Sequence, residues 1–110
     1  MMNSKALIQV LETVYQADLL KLTELRNRQT ALEKERTRLQ EPQLFDHQIE
    51  CNLELIGATS RYLRWRRIEA RNKSRMIFAL QPEITEAKNK LKKSFGRLEA
   101  VKELKMNGEF

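Results

Sequence analysis

The sequence predicts an all-α fold, an antiparallel two-helix coiled-coil hairpin, and three observations lead to this prediction. Only three Gly and two Pro occur in 110 residues, so strong turn formers are rare and long helices are favoured. Apolar side chains recur at seven-residue steps, which is the spacing of a helix that packs against another helix. Near the middle of the chain, Pro42 gives the clearest break. The chain is therefore predicted to form a single helical-hairpin domain over residues 1–110.

The first helix is predicted over about residues 4–40. Asn3 or Ser4 can cap it by accepting a hydrogen bond from a free amide of the first turn. Its packing seam has two columns at seven-residue spacing: Ile8, Tyr15, Leu22, Gln29 and Arg36 form one, and Leu11, Asp18, Leu25, Leu32 and Leu39 form the other. The seam is apolar near the N-terminus and polar further along. Asp18 is interpreted as a polar position that helps to fix the register of the helices.

A turn is predicted at residues 41–43, because Pro42 lacks an amide donor and disfavours helix in the residue before it. The helical pattern then resumes over about residues 44–106. Its first part, residues 44–56, contains three acids and no Lys or Arg, and it is predicted to be amphipathic. Residues 57–60 form a soft spot in this pattern.

The second long helix carries the cleanest periodicity in the sequence. Its main column at seven-residue steps is Ile49, Ile56, Leu63, Ala70, Ile77, Ile84, Leu91 and Leu98. Because this phase survives Pro82, a kink is favoured at that residue. The alternative, a break with Pro82 at the first position of a third helix, stays open.

The companion column of the second helix predicts how the helices pair. It is apolar or small at Leu80, Ala87, Ser94 and Val101, and largely polar at Phe45, Asn52, Thr59, Arg66 and Lys73. Pairing the chain ends puts Ile8 near Leu98, Tyr15 near Leu91, Leu22 near Ile84 and Leu25 near Leu80. Each apolar side chain buried in this way contributes on the order of 1.5 to 3 kcal/mol, so the apolar halves are expected to face each other.

The net charge of the chain lies in one segment, residues 61–75, which has six arginines and one lysine against one acid. The rest of the chain has equal numbers of bases and acids. The predicted partner-binding residues are Arg61, Arg64, Trp65, Arg67, Arg71 and Arg75, where the arginines share one broad helical stripe and Trp65 lies near its outer edge. The alternative is a solvated charged face. The charge is expected to be offset by the acidic stretch 41–54 or by an external partner.

The sequence argues against an enzyme. His47 is the only histidine, and its neighbour Cys51 is the only cysteine, so the usual zinc site is excluded and the pair is interpreted as a coincidence. There is no Gly-rich phosphate loop, and a thin helical rod offers little pocket. No catalytic residue, cofactor or metal is therefore predicted. No membrane span or signal peptide is predicted, and the lone cysteine fits a reducing, cytoplasmic compartment. Residues 108–110 resemble a cloning remnant and carry no part of these predictions.

The C-terminal stretch KNKLKKSFGRLEAVKELK, residues 88–105, has apolar residues at Phe95, Leu98, Val101 and Leu104. With the predicted basic hairpin, it resembles the FliJ family of flagellar export proteins and its injectisome relatives of the YscO type. The resemblance is architectural and covers most of the chain. It implies a central-stalk component of a type III export ATPase complex, similar in shape to the γ stalk of F-type ATPases. It also implies contacts with the ATPase ring, the export gate and substrate chaperones, and it carries no catalytic residues.

Two other interpretations remain open. An arginine stripe with Tyr62 and Trp65 can meet phosphates and stack on bases, which indicates nucleic-acid binding, although the balanced charge elsewhere makes this unfavourable. A homodimeric coiled-coil scaffold is the other, because a two-helix hairpin with one good half-seam is only marginally stable. The chain is expected to be a monomer or a weak dimer. Any membrane association is expected to be peripheral, through a membrane complex.

Overall fold

The computed structural model of the chain describes residues 3–41 and 53–108, and these residues form two α-helices. Helix α1 is Ser4–Gln40 and helix α2 is Leu53–Met106. Glu41 forms a bend directly after α1, as expected for the start of the predicted turn. The rest of that turn, and residues 44–52 of the predicted acidic stretch, lie outside the described residues. The predicted all-α helical hairpin is confirmed.

The first residue before α1 and the glycine after α2 both have suitable capping chemistry. The Asn3 side-chain oxygen accepts a hydrogen bond from the amide of Ala6 at 2.7 Å, so Asn3 and not Ser4 is the N-cap of α1. At the end of α2, Gly108 has a φ of 73° and donates its amide to the carbonyl of Lys105. A side chain would strain that left-handed conformation, which glycine adopts freely, and this conformation ends the helix.

Helix α2 is continuous through both of its weak points. It includes the whole of the predicted soft spot, residues 57–60, and it also contains Pro82. No third helix therefore begins at Pro82. None of the described helices has an apolar stretch of the length needed to cross a membrane.

The chain divides into two compact units, which we call the terminal unit, Met1–Asn27 with Leu80–Phe110, and the central unit, Arg28–Ala79. In the terminal unit, the rings of Tyr15 and Phe95 are tilted against each other with centroids 5.8 Å apart. Glu12 and Lys102 form an ion pair at 3.7 Å. Later residues of α1 thus meet earlier residues of α2, so the helices are antiparallel and the predicted pairing of the chain ends is confirmed.

The core of the terminal unit contains the predicted columns. Its buried residues are Leu22, Leu25, Leu80, Ile84, Ala87, Ser94 and Leu98. The hydroxyl of Ser94 donates to the carbonyl of Leu91 within α2, so this buried polar side chain is satisfied by its own helix. The sequence pairs Tyr15 with Leu91, whereas the ring contact is with Phe95, one helical turn further along α2.

The central unit has the mixed seam that its sequence predicts. Leu32, Ala70 and Ile77 are buried, together with the charged Arg66. Polar pairs lie across the helices beside these residues: Lys73 and Glu35 form an ion pair at 2.9 Å, and Arg36 donates to the hydroxyl of Ser74 at 3.3 Å. Here too the helices are antiparallel, because Arg38 of α1 meets Arg66 of α2, whereas the earlier Glu35 meets the later Lys73. The small apolar core leaves most of the α2 surface of this unit exposed.

Candidate partner-binding surface

The six residues predicted as a partner-binding site all lie on α2 in the central unit, and all six are exposed. Their exposure follows from the core positions of the helix. Leu63 is half-buried and Ala70 is buried, and these residues direct one side of the helix towards α1. Arg64, Arg67 and Arg71 lie about 60° to 120° away from that side, because each residue advances the helix by about 100°.

The exposed arginines are not neutralised by acids of the described chain. Within residues 3–41 and 53–108, the ion pairs of the central unit use Lys73 and not Arg61, Arg64, Arg67, Arg71 or Arg75. The one acid of the segment, Glu69, accepts a hydrogen bond from the side-chain amide of Asn72 at 3.5 Å. Most of the predicted acidic cover, residues 41–54, lies outside the described residues. Among the described residues, these five guanidinium groups have no carboxylate partner.

The sixth arginine of the segment has a different role. Arg66 is only 5% exposed, and its guanidinium donates hydrogen bonds to the main-chain carbonyls of Arg38 at 3.0 Å and Glu41 at 2.6 Å. The last carbonyls of a helix have no amide partner within the helix and carry a partial negative charge. Arg66 therefore satisfies the C-terminal end of α1 and is not part of the exposed surface.

Trp65 and most of the exposed arginines lie on different sides of α2. It stacks on Tyr62 with ring centroids 6.0 Å apart and an interplanar angle of 21°. It also lines a shallow groove of about 230 Å³. The other residues of that groove are Glu35, Arg38, Leu39, Glu69 and Lys73. Trp65 is about 120° around the helix from Arg71, so one flat partner surface does not contact both equally. The predicted site is thus an arginine stripe with Trp65 at its border.

Two exposed apolar residues next to the arginines are absent from the site that the sequence predicts. Phe78 is 78% exposed and Ile68 is 45% exposed. Phe78 follows Arg71 by seven residues and Ile68 follows Arg64 by four, so both lie on the arginine side of the helix. Their helical spacing from the arginines is the signal that could have identified them. Exposed apolar groups beside charged ones are typical of a protein-binding surface.

The side chains of this surface are of types that suit the binding of another molecule. Guanidinium groups form paired hydrogen bonds with carboxylates or phosphates, and the adjacent apolar groups supply contact area. Among the residues that the structure describes, no three His, Cys, Asp or Glu side chains are grouped so that they could hold a metal ion. His47 and Cys51 lie outside the described residues.

Comparison of the chain with models of protein families, with curated proteins and with solved structures gave no significant match.

Proposed function

We propose that this protein is a non-catalytic stalk or adaptor of a type III export ATPase complex. In this proposal it binds the ATPase ring and an export-gate component in the cytoplasm and assists protein export, with substrate chaperones as further partners. The observation that carries a protein-binding role is the row of five exposed arginines on α2 that have no acidic partner among the described residues. The stalk assignment depends on the resemblance of the hairpin and of residues 88–105 to export stalk proteins.

Electrostatics explains why such a surface needs a partner. Like charges clustered on one helix repel each other, and this repulsion is reduced when carboxylates of a second protein lie close to them. An antiparallel hairpin suits this task, because the helix bearing the arginines is supported along its other side by α1. Arg66 strengthens that support by binding the end of α1.

Binding to a purified export ATPase tests the proposal. The full chain is expected to bind the ATPase and to raise its rate of ATP hydrolysis. The triple variant Arg64→Glu, Arg67→Glu and Arg71→Glu is expected to bind at least about ten-fold more weakly, because several attractive contacts become repulsive. A matched control is Lys88→Glu, Lys92→Glu and Lys93→Glu, which makes the same charge change at exposed positions of the terminal unit.

Circular dichroism would verify that both triple variants keep their helix content. Absence of ATPase binding by the unmodified chain would exclude the export assignment. Equal weakening by both triple variants would mean that net charge, and not the arginine row, governs the association.

A homodimeric scaffold is the second candidate, and exposed apolar side chains of the terminal unit favour it. Val10 is 48% exposed, Val14 is 43% exposed and Leu20 is 59% exposed. Val10 and Val14 are one helical turn apart, so they could contact a second copy together. Light scattering over a dilution series distinguishes the homodimeric scaffold from the export adaptor. A stable dimer at every concentration would favour the scaffold, and a monomer would exclude it.

A further inference from the structure

The most exposed aromatic side chain of the described chain continues the line of arginines. Arg64, Arg67, Arg71, Arg75 and Phe78, which we call the basic stripe, follow one another at steps of three or four residues along α2. Residues with that spacing share one side of a helix. The stripe covers four helical turns, a length of about 21 Å. Ile68 lies beside it, between Arg64 and Arg71 in the sequence.

The stripe repeats the spacing of a helix-packing seam. Arg64, Arg71 and Phe78 are seven residues apart, as are the buried Ala70 and Ile77 on the side facing α1. In the central unit, helix α2 therefore has two seams: the mixed one that α1 covers, and a basic one with an exposed phenylalanine. The side chain of Phe78 is 78% exposed. Its removal from water would contribute favourable free energy to binding if the surface of another molecule covered it. The geometry of the second seam thus matches the side of another helix.

We propose that the basic stripe is the docking site for an acidic amphipathic helix of a partner protein. In the complex, carboxylates of that helix pair with Arg64, Arg67, Arg71 and Arg75. Two apolar residues of the helix, about 15 Å apart along it, cover Ile68 and Phe78. This inference rests on the proposed protein-binding function and adds the chemistry of the partner. Charge complementarity carries it, because the five residues include four cations and no acid and the described chain offers them no counter-charge.

The same features argue against nucleic acid as the ligand. Phosphates would satisfy the arginines but would leave Phe78 and Ile68 exposed. The aromatic pair that could stack on bases, Tyr62 and Trp65, is stacked on itself, and Trp65 lines the groove with Glu35 and Glu69. Because these two glutamates balance Arg38 and Lys73 in the groove, it offers no net positive charge to a phosphate backbone that approaches Trp65. An acidic helix meets the stripe without approaching these groups.

A peptide-binding measurement with the full chain tests the inference. The probe is a fluorescently labelled synthetic helix with Leu at the a and d positions of each heptad and Glu at its flanking positions. A second peptide has the same composition in a permuted order that destroys the apolar side of the helix. A single-stranded oligonucleotide with a similar number of charges is the third probe. Fluorescence anisotropy gives the dissociation constant of each.

The amphipathic peptide is expected to bind about ten-fold more tightly than the permuted peptide, because only the ordered helix offers both carboxylates and an apolar row. Arg64→Glu with Arg71→Glu is expected to weaken its binding by about ten-fold or more, and Phe78→Ser by several-fold. Lys88→Glu with Lys92→Glu is the control for net charge and should change the affinity less than two-fold, about the effect of screened, distant charges. All these positions are exposed, so the variants should retain the fold.

Three results would overturn the inference: equal binding of the two peptides, tighter binding of the oligonucleotide than of the amphipathic peptide, or unchanged binding by the Phe78 variant. Failure of the docking-site inference can be distinguished from failure of the proposed export function. If the chain binds the export ATPase but the variants of the stripe do so equally well, the stripe is excluded and the export function stands. If the peptide binds as expected but the ATPase does not, the stripe stands and the export assignment fails.

Discussion

Arg66 of α2 donates a hydrogen bond across 2.6 Å to the main-chain carbonyl of Glu41, just beyond the end of α1. A second bond from the same guanidinium nitrogen reaches the carbonyl of Arg38. Among the described residues, main-chain carbonyls and not a carboxylate accept the hydrogen bonds of this buried guanidinium. The guanidinium carbon also lies over the ring of Tyr62, 5.9 Å from its centroid. One arginine of the basic segment therefore links the two helices, while its neighbours remain exposed.

Replacement of this link should destabilise the hairpin. Arg66→Ala is expected to lower the free energy of unfolding by about 1 to 3 kcal/mol, because helix-end carbonyls lose a charged donor. Arg67→Ala is the matched control at the adjacent exposed position and should change it by less than about 0.5 kcal/mol. Urea denaturation followed by circular dichroism measures both. Equal stability of the two variants would show that the Arg66 hydrogen bonds contribute nothing to folding.

A second prediction concerns the apolar core of the terminal unit. Leu25 is 3% exposed and Leu20 is 59% exposed, and both are leucines of α1. Leu25→Ala is expected to lower the free energy of unfolding by about 2 to 5 kcal/mol, because it removes a buried side chain and leaves a cavity. Leu20→Ala should cost less than about 1 kcal/mol. The same denaturation measurement applies, and a larger loss from the Leu20 variant would contradict the observed orientation of α1.

Much of this core could be predicted from periodicity alone. Every residue of the two predicted α1 columns is buried or half-buried, including Asp18 and Arg36. On α2, the predicted column is buried or half-buried from Leu63 to Leu98. The prediction is wrong for Ile56 of the same column, which is 39% exposed, and Ile49 lies outside the described residues. The reason is physical: a residue that repeats every seven positions keeps facing the same neighbouring helix, whatever the details of packing. The pairing of the chain ends followed from the uneven distribution of apolar residues in the companion column.

The candidate surface was predicted less completely. The spacing of the exposed arginines identified their common side, but the distinct role of Arg66 depends on where α1 ends, and the sequence of α2 does not contain that information. Trp65 was assigned to the border of the stripe, whereas its stacking on Tyr62 and its groove depend on side-chain orientation. Phe78 lies three residues beyond the charged segment 61–75, so the charge pattern that predicts the site does not include it.

Pro82 provides a third prediction, because it lies inside α2 without breaking it. A proline within a helix lacks the amide that would bond to the carbonyl four residues earlier, and it costs about 3 kcal/mol relative to alanine. Its side chain is exposed, so no core contact offsets this cost. Pro82→Ala is therefore expected to raise the midpoint of thermal unfolding by several degrees, since about 1 kcal/mol shifts it by 4 to 8 °C in a domain of this size.

Differential scanning calorimetry measures that shift. Glu83→Ala at the neighbouring exposed position is the control and should leave the midpoint nearly unchanged. A lower midpoint for the Pro82 variant would indicate that the proline is required by the native packing of α2.

A fourth prediction concerns nucleic acids. The chain is expected to cause no retardation of a single-stranded or double-stranded oligonucleotide in a gel-shift titration at physiological salt. Any retardation at low salt should disappear as salt is raised, because the net charge of +6 acts through screened contacts with phosphates. Retardation that persists at the higher salt concentration would contradict the protein-binding account.

The central claim, that the arginine side of α2 contacts a partner protein, is tested most directly by site-specific photocrosslinking in the cell. A photoreactive amino acid at Ile68 keeps every arginine, and one at Leu20 of α1 is the control, since both positions are exposed. Illumination is expected to convert the Ile68 protein, and not the Leu20 protein, to a heavier adduct that disappears when Arg64 and Arg71 are also changed to Glu. Absence of an adduct at Ile68, or an adduct that persists after the charge reversal, would contradict the claim.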